Sequence, residues 1–395
     1  MGIFNKIKFL FLVLLFHFYH SQIEMPIMAF HSFTPETSNL ENFLNFKKAG
    51  FTINHTIFKT NDQVESALNL AQKAGIKLMF YSDDLRTDTE KTVKRFINHP
   101  ALYGYFVSDE PSPKDFPTVE NLIKKIKSLD SKHPVYVNLY PNFVWPNELG
   151  NLSYEDYVSQ FIKEVSIDFV SFDNYPLVNN YIREKWYQNL EIIRDASIKN
   201  KKNFWAFACS TIHAYYLQPT LGGLKLQQFS NLLYGAKGLQ YFTYLTIDND
   251  FWKKNKYSYS IVYNNGKPTP TYELVKKVNQ QIKNLSWLFI NSKVDSVYHI
   301  GDEIPIGTKK MDFIPEKFTV FNSSTKPALV SYMSTGSKKY IFVQNKNIYE
   351  PIYFNYQVNS GVNIVDRNTG KTKSISPKNQ SQPIPPGDIL IFAYK

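Results

Sequence analysis

The sequence predicts a (β/α)8 barrel followed by a small antiparallel β-sandwich, on three observations. Between about Ile23 and Ile290, short apolar runs alternate with longer segments of helical periodicity, the pattern of βα units. Eight such pairs fit into roughly 265 residues, close to the usual barrel size of about 250. From about Val294 the pattern becomes short strand-like runs split by Gly, Asn, Ser and Pro, with no long helix, which reads as a sandwich. The expected division is a leader over 1–22, a barrel over 23–290 and a sandwich over 291–395. A doubly wound sheet would carry a Gly-rich phosphate turn after its first strand, and Phe33-Thr34-Pro35 has no such character.

The strands are expected at Pro26–Phe33, Thr52–Phe58, Lys77–Ser82, Leu102–Ser108, Val135–Leu139, Phe169–Phe172, Phe204–Cys209 and Leu239–Tyr244. Each is followed by a helical pattern: Leu40–Ala49, Asp62–Ala74 with Asp62 as N-cap, Thr87–Ile97, and Pro117–Leu129 with Asp115 as a start signal. The later four are Tyr154–Glu164 capped by Ser153, Arg183–Lys199, Gly223–Tyr234 and Pro270–Asn284. The sandwich strands are expected at Val297–Ile300, Phe318–Asn322, Ala328–Met333, Tyr340–Gln344, Ile352–Val358, Val362–Asp366 and Ile389–Tyr394. No repeat or low-complexity linker separates the two parts, so they are expected to pack directly.

The first residues read as a cleaved signal peptide. Lys6 and Lys8 form a positive n-region, Phe9 to Phe16 an apolar h-region, and Tyr19-His20-Ser21-Gln22 a cleavage region. The apolar run is too short for a stable span and no second one follows, so a periplasmic or secreted protein without a membrane span is expected. No cysteine near the cleavage region offers a lipoprotein anchor. Cys209 is the one cysteine of the chain, which excludes an internal disulfide and zinc-type Cys/His spacing. The formal charge is +11, of which Lys6 and Lys8 contribute two. No Arg-rich helix or nucleic-acid motif accompanies it, so nucleic acid is not an expected partner, and a Lys- and Asn-rich composition accounts for the charge. Aromatic residues make up 16%; they suit stacking on the C–H face of a pyranose, but most of them are expected to fill cores. The sequence does not specify an oligomeric state.

Functional groups of such barrels sit at the C-terminal ends of the strands. There the sequence places His31, then Ser82-Asp83-Asp84, Asp109-Glu110-Pro111, Asn138 to Tyr140, Asp173-Asn174-Tyr175-Pro176 and Cys209-Ser210-Thr211, with His213 beyond. The pair Asp109-Glu110 carries most chemistry. Like charge and partial burial both disfavour ionisation, so one of the two is expected to titrate high and to donate a proton to a leaving oxygen. The plainer reading is an acidic first turn of a helix. His31 and His213 are candidates for contacts to sugar hydroxyls, as are Asn138, Tyr140 and Asn142 at the end of the fifth strand; a lone His is more often structural. Trp205 lies within a strand and reads as core. Asp83 and Asp84 receive no role. No metal cluster with suitable spacing is present, and no cofactor is expected.

The segment His99-Pro100-Ala101-Leu102-Tyr103-Gly104-Tyr105-Phe106-Val107-Ser108-Asp109-Glu110-Pro111 resembles the fourth strand of clan-A barrel glycoside hydrolases. Phe169-Val170-Ser171-Phe172-Asp173-Asn174-Tyr175-Pro176 is similar to the sixth strand of the family 42 β-galactosidases. The stretch from Leu226 to Tyr244, with Gln227, Asn231, Gly235-Ala236 and Gly238, is similar to their last βα unit. The resemblance implies that Glu110 is the general acid/base, that Asp173 and Tyr175 line the glycone site beside Asn174, and that the substrate is carbohydrate.

One departure stands out. Retaining enzymes of that clan place a nucleophilic glutamate at the end of strand seven, where this chain has Ala208-Cys209-Ser210-Thr211. Three readings follow. Glu110 pairs with Asp173 or Asp109; or Cys209 is the nucleophile; or the barrel binds glycan without cleaving it. The separation of the two carboxyls would distinguish retention, at about 5–5.5 Å, from inversion, at about 6.5–9.5 Å.

Overall fold

A computed structural model describes residues 24–179 and 181–395. The expected leader over 1–22 lies outside the described residues. Eight parallel strands close into a barrel: β1 (Ile27–Ala29), β2 (Ile53–Phe58), β3 (Lys77–Ser82), β4 (Leu102–Asp109), β5 (Val135–Leu139), β6 (Phe169–Phe172), β7 (Asn203–Cys209) and β8 (Gly238–Phe242). Each pairs with its sequence neighbours, and β8 closes on β1 with Leu239 opposite Ile27. Sequential parallel order is what alternating βα units produce, because each crossover returns the chain in the same hand.

The helices are α1 (Leu40–Lys48), α2 (Asn61–Ala74), α3 (Asp83–Thr87), α4 (Thr89–Phe96), α5 (Phe116–Leu129), α6 (Tyr154–Glu164), α7 (Trp186–Lys199), α8 (Leu221–Leu233), α9 (Asp250–Lys254) and α10 (Pro270–Asn291). Ser153 caps α6 through the Asp156 amide, as expected. The expected cap Asp62 is not one. Thr60 caps α2 in a reciprocal box with Gln63, which leaves Asp62 inside the first turn. The third helix is broken in two because Ser82 caps α3 while Asp88 leaves helical geometry and caps α4 through Lys91. Helix α7 begins at Trp186 rather than Arg183, because Leu177–Val178 and Tyr181–Ile182 pair as a small hairpin ahead of it.

Alternation along the strands builds two apolar layers. Inward residues Phe30, Phe106, Tyr136, Phe169, Trp205 and Phe207 fill the barrel. Outward residues such as Leu78, Phe80, Tyr105 and Val135 meet the helices. Trp205 stacks on Phe169 at 4.3 Å and is core.

The C-terminal part is the expected sandwich. Its strands are β9 (Lys293–Ile300), β10 (Phe318–Asn322), β11 (Ala328–Thr335), β12 (Lys338–Asn345), β13 (Ile352–Val358), β14 (Asn363–Val365), β15 (Thr372–Ser374), β16 (Gln380–Ile384) and β17 (Ile389–Tyr394). One sheet runs β9-β11-β12-β17-β14-β15 and the other β10-β13-β16. The larger sheet docks on α8: Gln344 accepts from Ser230 and donates to the Leu226 carbonyl, and Ser331 donates to the Leu233 carbonyl.

Candidate functional site

The end of β4 is fixed on two sides before any side chain is considered. The Glu110 amide donates to the Asn138 carbonyl at 2.8 Å, and Tyr157 of α6 donates its buried hydroxyl to the Pro111 carbonyl at 2.8 Å. Between these two anchors Glu110 adopts φ +48°, a left-handed conformation costing a non-glycine residue about 1–3 kcal/mol. Such strain persists where neighbouring structure over-determines it, and it concentrates at functional sites. His31, at the end of β1, is held similarly at φ +47°.

A cavity of about 180 Å³ opens at the C-terminal mouth of the barrel, lined by Asp109, Glu110, Asn138, Asp173, Tyr175 and His213 among the rings of Phe30, Phe207 and Phe242. The acidic pair of β4 and Asp173 of β6 thus face one bowl. Asn138 of β5 stands between them, donating to Asp173 at 2.8 Å and to Asp109 at 3.3 Å. Its amide is oriented from below: Ser171 donates to the Asn138 oxygen at 3.0 Å, and Gln240 donates to the Ser171 hydroxyl at 2.9 Å. Tyr136 in turn donates to Gln240 at 2.8 Å. Three strands therefore fix one amide, and that amide fixes two carboxylates. A floor this well satisfied keeps the acids in register, since any rotation would leave buried polar groups unpaired.

The Glu110 and Asp173 carboxyls lie within hydrogen-bonding reach of one another. Each carboxyl of the pair therefore disfavours ionisation of the other. Burial raises Glu110 above the carboxylate range, and the charges of Asp173 and Asp109 add to it. Burial also raises Asp173, with Asp109 adding and the hydrogen bonds from Asn138 and Glu110 opposing. Asp109 is reached by solvent at the lip, yet protein surrounds it closely enough that desolvation still raises it, against the Asn138 hydrogen bond.

Other expected residues fall in different places. His213 lines the bowl; burial lowers it to about 4, so its ring is neutral, and Nδ1 has no partner. His31 is neutral for the same reason but packs edge-on behind Phe30, at 4.8 Å. Tyr140 donates to Glu148 at 3.1 Å. Asn174 turns away from the bowl: it is buried and donates to Asn142 and Asn189, so its amide holds the loop after β6 against α7. Cys209 ends β7 beside the bowl, and burial raises its thiol to about 12, which excludes a thiolate nucleophile at neutral pH.

Sequence reasoning missed two groups. His55 in β2 is fully buried, stacked on Phe30 at 4.2 Å, and neither ring nitrogen has a partner. It sits inside a strand, where a histidine gives no signal. Glu148, in the loop after β5, contributes negative charge at both Glu110 and Tyr140. The turn residues around it hid it. Among the described residues no group of three or more His, Cys, Asp and Glu side chains could hold a metal ion.

Residues 116–285 match the family model for β-galactosidase of glycoside hydrolase family 42. The match begins after Glu110 and includes Asp173 and Cys209. No curated protein matches the chain. Among solved structures, a family 39 glycoside hydrolase from the gut symbiont Bacteroides cellulosilyticus superposes with a TM-score of 0.55 at 9% identity, covering 94% of this chain and 81% of that one. A β-galactosidase from the Antarctic haloarchaeon Halorubrum lacusprofundi gives 0.50 at 11% identity, covering 66% and 58%. The β-galactosidase of Marinomonas ef1 gives 0.49 at 9% identity, covering 66% and 60%. The chain thus spans about three fifths of the length of these β-galactosidases. At such identities the likeness is one of fold.

Proposed function

We propose that the chain, residues 116–285 of which match the family 42 β-galactosidase model, is an exported glycoside hydrolase cleaving O-glycosidic bonds in a poly- or oligosaccharide. The observation that carries this reading is the convergence of Glu110, Asp109 and Asp173 on one cavity at the barrel mouth, with Glu110 raised by burial and by its two acidic neighbours. Glu110 is the general acid: kept protonated by burial and by two neighbouring carboxylates, it delivers its proton to the leaving oxygen. Asp173 and Asp109, oriented by Asn138, supply negative charge where the sugar becomes oxocarbenium-like. Tyr175 and the neutral His213 contact the sugar beside them. Export follows from the leader over 1–22, which would be removed.

Glu110→Gln preserves shape and removes the proton. Turnover on a glycan the wild type cleaves is expected to fall by about 10²–10⁴-fold with the fold intact by circular dichroism, the usual worth of a positioned acid. A variant as active as wild type overturns the assignment. A second reading, a barrel that binds glycan without hydrolysing it, is favoured by one observation: β7 ends in a buried thiol where a nucleophilic carboxylate would stand. Calorimetric binding to a glycan panel without any product release would select it.

A further inference from the structure

The bowl is small for a glycan chain, and a larger space lies beside it. A groove of about 970 Å³ runs between the loop after β6, the start of α7 and the sandwich loops, with Arg183, Tyr187 and Lys346 among its lining residues. A ladder of rings connects the two. Tyr175 of the bowl meets Tyr216 edge-on at 5.6 Å, Tyr216 meets Tyr215 at 4.9 Å, and Tyr215 faces the Arg183 guanidinium at 5.8 Å.

Arg183 is the anomaly. Its guanidinium stacks on Phe143 at 3.6 Å, so its plane is fixed. Yet Nε and Nη2 are buried with no hydrogen-bond partner, and no carboxylate pairs with it among the described residues. Buried N–H groups are almost always satisfied, and a planar fork held by stacking is suited to one oxyanion gripped by two parallel hydrogen bonds. Lys346, 8% exposed, lies over Tyr187, its Nζ 5.1 Å from the ring centre; its side-chain hydrogen bond is to the neutral His299 ring at 3.3 Å, not to an acid. The acids of the groove, Glu184, Asp302 and Glu303, are all exposed at its margin, Glu303 near enough to act on Lys346. A half-buried guanidinium with two unpartnered N–H groups, a buried ammonium and a rim of solvated carboxylates select an isolated anionic group over a densely charged polymer.

We infer that this interdomain groove binds the glycan chain continuing from the bowl, and that it takes a residue bearing one carboxylate or sulfate group on the Arg183 fork with Lys346 beside it. The inference rests on the proposed carbohydrate chemistry of the bowl but is tested separately from it. Binding is measured by calorimetry in the Glu110→Gln background, which separates binding from turnover. The probes are hexasaccharides of equal length: neutral, carrying one uronic acid, or carrying one sulfate ester. The anionic chains are expected to bind more tightly than the neutral one. Arg183→Gln is expected to weaken the anionic chains at least about tenfold, the worth of a charge-assisted hydrogen bond, with the neutral chain changed less than about twofold. Arg183→Lys, which keeps charge but loses the fork, should fall between, and thermal melting should show all variants folded. Preference for the uronic acid or the sulfate identifies the source of the anion. Equal affinity for neutral and anionic chains, binding of none of them, or anionic affinity unchanged in Arg183→Gln overturns the inference. Binding as expected with no turnover by the wild type would sink the hydrolytic reading and leave the groove standing.

Discussion

At the scale of single residues, the site is defined by a proton that burial keeps on a carboxyl. Glu110 is raised by desolvation first and by Asp173 and Asp109 next. A carboxyl raised in the folded state stabilises that state only while protonated. Its contribution is complete below the unfolded value of about 4.3 and is lost as pH rises through the higher folded value. Glu110→Gln, neutral at every pH, should escape that loss. Thermal melts across the pH range should therefore coincide in acid and diverge in alkali, the variant becoming the more stable by up to about 1.4 kcal/mol per pH unit between the two pKa values. Parallel curves would mean that Glu110 is not the proton carrier. The residues of this dyad were legible in the sequence because polar groups at strand ends of a barrel converge by construction. His55 and Glu148 were not, because one sits within a strand and the other is brought in by a loop whose path no pattern encodes.

Among the elements, β4 carries the most constraint, and its position depends on a glycine. A Cβ on Gly104 would stand 2.2 Å from the Pro134 carbonyl oxygen, the same oxygen that accepts from the Tyr105 amide. Backbone cannot swing aside as a flexible side chain can, so Gly104→Ala must push β4 off β5. A loss of about 1–3 kcal/mol is expected from the overpacking. Turnover should drop with it, because Glu110 is tied to Asn138 by the same pair of strands. An unchanged melting temperature would show that the strand shifts freely. The strands themselves were readable: β3, β5 and β6 begin and end where their apolar runs do. What failed were boundaries set by local polar chemistry, such as the Asp88 stop between α3 and α4. The two sandwich strands β15 and β16 were missed because Thr372–Ser374 is fully exposed and Pro383 interrupts the other, leaving no apolar alternation to find.

For the whole molecule, the question is whether barrel and sandwich act as one body. The groove between them serves a glycan only if its walls hold their spacing, and a buried ion pair helps join the two parts. Asp388, ahead of β17, pairs with Lys225 of α8 at 2.5 Å, accepts from Gln281 of α10 at 2.8 Å, and meets Arg367 at 3.5 Å. The backbones also touch: a Cβ on Gly387 would stand 2.0 Å from the Gly222 carbonyl oxygen of α8. Asp388 is 1% exposed, so removing it strands the Lys225 ammonium, which is only about a tenth exposed. Breaking such a pair from one side is destabilising by about 3–5 kcal/mol, mostly through the uncompensated charge. Calorimetry of the wild type is expected to give one cooperative transition, because no linker separates the cores. Asp388→Ala should lower that transition or split it in two, the sandwich melting first, while Asp388→Ala with Lys225→Met recovers part of the loss. If the single variant melts as wild type does, the remaining packing and hydrogen bonds hold the two parts, and the spacing of the groove does not depend on this charge.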